Sequence, residues 1–201
     1  VVDRVLSGGL AAQRPIVVAQ REVYSSEDLV RPVKKVLIHA RGCTAAKLIR
    51  IAQQQDIDVV LVQSDPDMES MAADQLREQD TLVCIGGNTP DESYLNAKSV
   101  LNVAQMQGVD SLHPGIGFLS ENADFADMVR NRGINFVGPP VQSMETMGNK
   151  SNAINTSIRL NVPVVPGSHG IMTDVEKAAV VAEEIGYPIL IKAVHGGGGK
   201  G

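Results

Sequence analysis

The sequence predicts an α/β fold: a doubly wound, mostly parallel sheet of the Rossmann type. Three observations carry this. From Lys35 onward, short apolar runs rich in Val, Ile and Leu alternate with segments of helical periodicity. The connections between them are short, as in successive βαβ units. Aromatic residues make up only 3% of the chain and Trp is absent, so the core rests on aliphatic side chains, the palette of parallel sheets covered on both faces.

Each element follows in order. "KVLIHA" is the first strand, and "TAAKLIRIAQQQ" after "RG" is an amphipathic helix. "DVVLVQS" is the second strand and "DPDMESMAADQL" reads as helical. "TLVCIG" is the third strand, with a helix expected from about Leu95. "VDSLHPG", the helix "ENADFADMVRNRG" and the strand "INFVGPP" complete the unit. A second unit begins between about residues 140 and 165, where "VQSMETMGNKSNAINTSIRLN" is helical, "VPVVPGS" is extended between prolines, "TDVEKAAVVAEEIG" is a helix and "YPILIKA" a strand. One helix and two strands are too few to close a core, and a start at Val1 reads as a fragment. Residues 1–34 carry a strand-like "RPIVVAQ" and a helix start at Ser25-Ser26-Glu27-Asp28, with no function assigned.

Composition narrows the function classes. The chain has 201 residues, 43% apolar, with mean hydropathy near zero, as for a folded globular protein. A net charge of −5 and no basic cluster argue against a nucleic-acid partner. No apolar stretch approaches the roughly 20 residues of a membrane span, and no signal peptide is visible, so a cytoplasmic location is expected. Cys43 and Cys84 lack metal-ligand spacing and read as small buried hydrophobes in a reducing compartment.

The motifs are individually weak. A dinucleotide fingerprint fails: only Gly42 follows the first strand, and "GIGFLS" has Ser120 at the third glycine position. "HPGIGFLSEN", residues 113–122, sits at a strand's carboxyl end, where open α/β sheets place ligands; His113 and Glu121 are polar groups on that rim. A plain turn with Ser120 or Asn122 capping the next helix fits the same residues. Lys150 in "MGNK" stands near a helix start, where the dipole does not favour a cation. The run Gly196–Gly199 after Lys192 suits a phosphate, because successive glycine N–H groups line a concave anion site, and it suits a flexible linker as well. It is not a P-loop: Val194 stands where the first glycine belongs, and Gly201 rather than a hydroxyl follows Lys200.

Taken in order along one chain, "CIGGNTPDESYLN", "HPGIGFLSENADFA", "GINFVGPP", "MGNK", "VPVVPGS" and "IGYPILIKAVHGGGGKG" resemble the biotin carboxylase family of ATP-grasp enzymes. In acetyl-CoA, propionyl-CoA and pyruvate carboxylases this component carboxylates biotin. The resemblance covers residues 35–201 and implies a Rossmann-like N-terminal domain over 35–148, then the start of an ATP-grasp lid subdomain over 149–201, broken off in the glycine-rich loop. It implies ATP-binding roles for Lys150, Lys192, Gly196, Gly197, Gly198 and Gly199. Ile116 and Glu121 would lie near biotin, and Lys47 and Arg50 at a dimer interface. Implied cofactors are ATP, Mg²⁺ or Mn²⁺, and biotin, with the metal ligands and catalytic residues outside this chain. Implied partners are bicarbonate, a biotin carboxyl carrier domain, a carboxyltransferase and a second copy of the enzyme. The location would be cytoplasmic, or the mitochondrial matrix in a eukaryote.

Departures from the family pattern carry information. After the first strand the family reads "ANRGEIA"; Ala40, Cys43 and Thr44 stand here in place of Asn, Glu and Ile. Ile116 replaces the Tyr of "HPGYGFLSEN", "MGDK" becomes "MGNK", and Lys47 replaces an Arg. Two other readings stay open: a carbamoyl-phosphate-synthase-like ATP-grasp ligase, which phosphorylates bicarbonate without biotin, and a non-catalytic ATP-grasp-like assembly module. The chain by itself is expected to be inactive.

Overall fold

In the computed structural model the described residues are 32–168 and 170–191. "RPIVVAQ", Ser25–Asp28, Lys192 and Gly196–Gly199 lie outside them. The elements run β1 (Lys35–Ile38), α1 (Gly42–Gln54), β2 (Asp58–Gln63), β3 (Thr81–Cys84), α2 (Ala97–Met106), β4 (Ser111–His113), α3 (Ala123–Arg130), β5 (Asn135–Phe136), α4 (Val141–Gly148), α5 (Lys150–Arg159) and α6 (Val175–Ile185). The five strands form one sheet in the order β3-β2-β1-β4-β5, with every pair parallel. This is the doubly wound arrangement the alternation predicts.

The period-2 pattern of the strands decides which helix covers which face. Leu37, Val60, Val62, Leu112 and Phe136 point to one side, where Val100, Leu101 and Ala104 of α2 and Phe125, Ala126 and Val129 of α3 meet them. Val36, Ile38, Val59 and Leu61 point to the other, against Ala45, Ile49 and Ala52 of α1. The amino edge is pinned by carboxylates. Asp110 Oδ2 accepts from the Lys34 and Lys35 N–H groups at 2.8 and 3.1 Å. Asp80 accepts from Val59 N–H at 2.9 Å and pairs with Arg77 at 3.2 Å.

Helix starts follow local chemistry. Asn96, Asn122, Asn149 and Asp174 cap α2, α3, α5 and α6 with their side-chain oxygens. Asn149 also ends α4, so the helical region 141–161 is two helices joined through one residue.

Three expectations are corrected. Residues 65–76 form two short 3₁₀ turns, Asp65–Asp67 and Ala73–Gln75, instead of a helix. The side chains there are taken up elsewhere: Asp67 accepts from the Ser64 hydroxyl at 2.7 Å, and the Ser70 hydroxyl meets Gln63 Oε1 and Ala73 N–H. Such local bonds compete with helix formation. Residues 187–191 of "YPILIKA" are not a strand, because no neighbour pairs with them among the described residues, and Leu190 and Ile191 are 78% and 84% exposed. Cys43 and Cys84 are both exposed: one stands in the first turn of α1, the other ends the edge strand β3.

Candidate functional site

The strand order reverses between β1 and β4, and in open α/β sheets the crevice beyond the carboxyl ends at such a point receives the ligand. The chain leaves β1 through His39, Ala40 and Arg41 and leaves β4 through Pro114, Gly115 and Ile116. The two exits are joined where His39 N–H donates to the His113 carbonyl at 2.9 Å, and within the β4 exit Gly115 N–H donates to His113 Nδ1 at 3.1 Å. Gly115 has φ +65°, and a Cβ there would lie 2.7 Å from Ala40 Cβ and 2.9 Å from the His39 carbonyl. Glycine is what lets the two loops touch.

Beneath the rim lies a polar and aromatic cluster. Asp67 Oδ2 accepts from the Ser64 hydroxyl at 2.7 Å and the Tyr94 hydroxyl at 2.8 Å, and stands 3.7 Å from the Arg41 guanidinium. Burial pushes the Asp67 carboxyl up, but the bonds from Ser64 and Tyr94 and the Arg41 charge bring it below its ordinary value. Tyr94 also accepts from Ser64 N–H at 3.0 Å; burial, aided by Asp67, pushes its phenol up to about 12. Phe118 stacks on Tyr94 and lies 5.8 Å beneath Arg41, whose side chain remains 55% exposed. A fixed, half-exposed guanidinium at the rim is suited to a planar or tetrahedral oxyanion.

His39 is fully buried among Tyr94, Phe118 and Phe125, with ring centroids about 6 Å away. Its Nε2 lies 2.9 Å from the Tyr94 carbonyl, which makes Nε2 the protonated nitrogen; Nδ1 has no partner. Burial pushes its pKa down to about 4, so it is a neutral packing group. Burial also lowers His113, half-buried at the end of β4.

The residues singled out in the sequence fall in three places. Ile116, 80% exposed, and Glu121, also exposed, lie on the single connection from β4 to α3, at the crevice. Lys47 and Arg50 stand one turn apart on the outer face of α1, both exposed. Lys150 is exposed and opens α5, beyond β5 and α4. Nothing in the sequence marks Arg41, Asp67, Tyr94 and Phe118 as a group. The scarcity of aromatics was the one signal pointing there: Phe118, Phe125 and Phe136 are the only three phenylalanines, and all lie in or next to this cluster.

Known proteins supply the wider context. Residues 32–144 match the family model "Biotin carboxylase, N-terminal domain", and residues 149–201 match "Carbamoyl-phosphate synthase L chain, ATP binding domain". Biotin carboxylase 1 of Bacillus subtilis is 43% identical over 169 residues, 84% of this chain and 37% of that protein. Other relatives include chloroplastic and mitochondrial forms. Among solved structures, a Campylobacter jejuni biotin carboxylase in complex with beta-gamma-ATP superimposes with a TM-score of 0.77 at 37% identity, over 84% of this chain and 37% of that one. The biotin carboxylase domain of Hydrogenobacter thermophilus 2-oxoglutarate carboxylase, in complex with MgADP, ADP and bicarbonate, gives 0.75 at 38% identity, over 85% and 37%. The chain thus spans about a third of the length of the curated relatives it matches. The first family match covers more than half of the chain and takes in the whole sheet together with both loops of the crevice, and on that ground the chain belongs to the biotin carboxylase N-terminal domain family.

Proposed function

We propose that this chain is part of a biotin carboxylase that uses ATP and bicarbonate to carboxylate protein-linked biotin through carboxyphosphate. The observation that carries this reading is the succession of the two family matches, 32–144 and then 149–201, along one chain. On this reading residues 35–148 are the N-terminal domain and 149–201 begin the ATP-binding domain, with residues 1–34 an extension.

Lys150, Lys192 and the glycines 196–199 are the nucleotide residues. Ammonium groups neutralise phosphate charge, and glycine N–H groups laid over the phosphates keep water from carboxyphosphate, which hydrolyses readily. Lys150 enters on the first turn of α5, fixed by Asn149, whose Oδ1 accepts from Ser151 and Asn152 N–H at 3.0 and 3.1 Å. Ile116 offers an apolar contact at the crevice, which fits the hydrocarbon part of biotin; when bound, biotin supplies the ureido nitrogen that takes the carboxyl group. Among the described residues no group of three or more His, Cys, Asp or Glu is placed to hold a metal ion; the ligands of Mg²⁺ or Mn²⁺ are assigned to parts of the enzyme outside this chain. Lys47 and Arg50 are assigned to contact with a second copy, and a carrier domain and a carboxyltransferase are the further partners. No helix among the described residues is long and apolar enough to cross a membrane; the proposed location is the cytoplasm or an organelle matrix.

The test is ATP turnover by the protein at its full length. Bicarbonate-dependent ADP release that rises with biotin or a biotinylated carrier is expected. Release that requires ammonia and ignores biotin would support the carbamoyl-phosphate-synthase-like alternative, and no bicarbonate-dependent release at all would leave an assembly module.

A further inference from the structure

The junction between the sheet and α4 holds an arginine with no part in the motifs above. Arg130, the last residue of α3, donates through one guanidinium nitrogen to two successive carbonyls, Gly138 at 3.3 Å and Pro139 at 2.9 Å. Its guanidinium carbon lies 6.0 Å from the centroid of the Phe136 ring. That ring also abuts Gly138, where a Cβ would come within 2.6 Å of it. Arg130, Phe136 and the backbone of residues 138–139 therefore form one clamp at the exit from β5.

The segment beyond the clamp is short and stiff. Pro140 precedes α4 and contributes no side-chain cap; the entrance is held by the Arg130 bonds to the two residues before it and by Val141 and Met144, which pack on the core. The eight residues of α4 span about 12 Å. Asn149 is both the end of α4 and the cap of α5, which leaves no slack before Lys150. One short helix, α4, therefore lies between the clamp and Lys150 at the first position of α5.

We propose that Arg130 is a positioning residue for nucleotide binding: it fixes the entry angle of α4 and thereby the place of Lys150. This rests on the reading of Lys150 as a phosphate contact. A displacement of about 1 Å at a remote clamp can cost on the order of 100-fold at a reacting centre, and binding is expected to be less sensitive than chemistry.

The experiment uses the protein at full length and compares Arg130→Met, Arg130→Gln, Lys150→Met and the double variant Arg130→Met/Lys150→Met. Arg130→Met keeps packing over Phe136 and removes the donors; it should raise KM for ATP about tenfold while KM for bicarbonate stays within about twofold. Arg130→Gln, with one amide donor group, should fall between wild type and Arg130→Met, and it decides by the same two readings if Arg130→Met does not fold. Added to Lys150→Met, Arg130→Met should have no further effect on KM for ATP, because both act on the same contact. An unchanged KM for ATP beside a lowered melting temperature would make Arg130 a structural residue only and overturn the proposal. So would full additivity in the double variant. If Lys150→Met itself leaves KM for ATP unchanged, the reading of Lys150 fails and the proposal falls with it; if only Arg130→Met is silent, the proposal alone fails.

Discussion

Tyr94 and Phe118 stack with ring centroids 4.6 Å apart and 14° between their planes, joining the loop after β3 to the loop after β4. The stack is anchored from below by the Tyr94 hydroxyl, which reaches Asp67 in the 3₁₀ turn after β2, and is covered from above by Arg41 in the loop after β1. One aromatic pair thus links the segments that follow β1, β2, β3 and β4.

Tyr94→Phe keeps the stack and removes the hydroxyl. Asp67 loses a donor and the buried Ser64 N–H loses its acceptor. A loss of about 1–3 kcal/mol is expected, the cost of leaving buried polar groups unpaired. Urea denaturation should show a lower midpoint at unchanged slope. A midpoint equal to wild type would mean that water replaces the hydroxyl without cost.

The glycines of the "GIG" tip should not be equivalent. Gly115→Ala meets Ala40 and the His39 carbonyl as well as an unfavourable φ of +65°, whereas at Gly117, with φ +79°, an added methyl group would have nothing within 4 Å. Backbone strain alone costs about 1–2 kcal/mol and overpacking about 1–3 more. Gly115→Ala should therefore be the more destabilising variant by at least about 1 kcal/mol, measured by the same denaturation. Equal losses would show that the β1 and β4 loops part easily.

His39 makes stability depend on pH. Its pKa is about 4 in the folded protein against 6.5 in the unfolded chain, so between these values the unfolded state binds more protons. Stability should rise as pH increases from about 4 to 6.5 and then level off, by on the order of 3 kcal/mol for this group. His113, lowered by burial as well, adds to the slope in the same direction. His39→Leu should flatten the profile between pH 4 and 6.5. A slope identical to wild type in that variant would assign the dependence to other groups.

Ile116→Tyr tests the crevice directly. Isoleucine cannot donate a hydrogen bond, and a tyrosine in its place can. On the proposed reading, the full-length protein should use free biotin poorly and depend on a tethered carrier, whose high effective concentration compensates. Ile116→Tyr should improve free biotin as substrate and leave ATP affinity unchanged. Equal kinetics with free biotin for both proteins would reduce Ile116 to a surface residue of the loop.

Local chemistry along the chain was enough to define most of its elements. Apolar runs and helical periodicity placed β1 to β5, α1 to α3 and α6 close to where they lie, α4 and α5 read as one helical region, and Asn122 as the cap of α3 was legible as a short-range hydrogen-bonding pattern. The family motifs also lay in plain order, because each is a contiguous run. Features that depend on distant partners were settled only by the folded arrangement. Strand order put β1 beside β4 and so brought Arg41 and Ala40 against the Gly115–Phe118 loop. Asp67 was drawn to Tyr94 and Ser64 instead of into a helix, and residues 187–191, apolar enough for a strand, have no pairing neighbour among the described residues. Cys43 and Cys84 are exposed because a first helical turn and the end of an edge strand face outward, whatever their hydrophobicity. Propensity acts over a few residues; pairing, stacking and burial are fixed only when segments far apart in the chain meet.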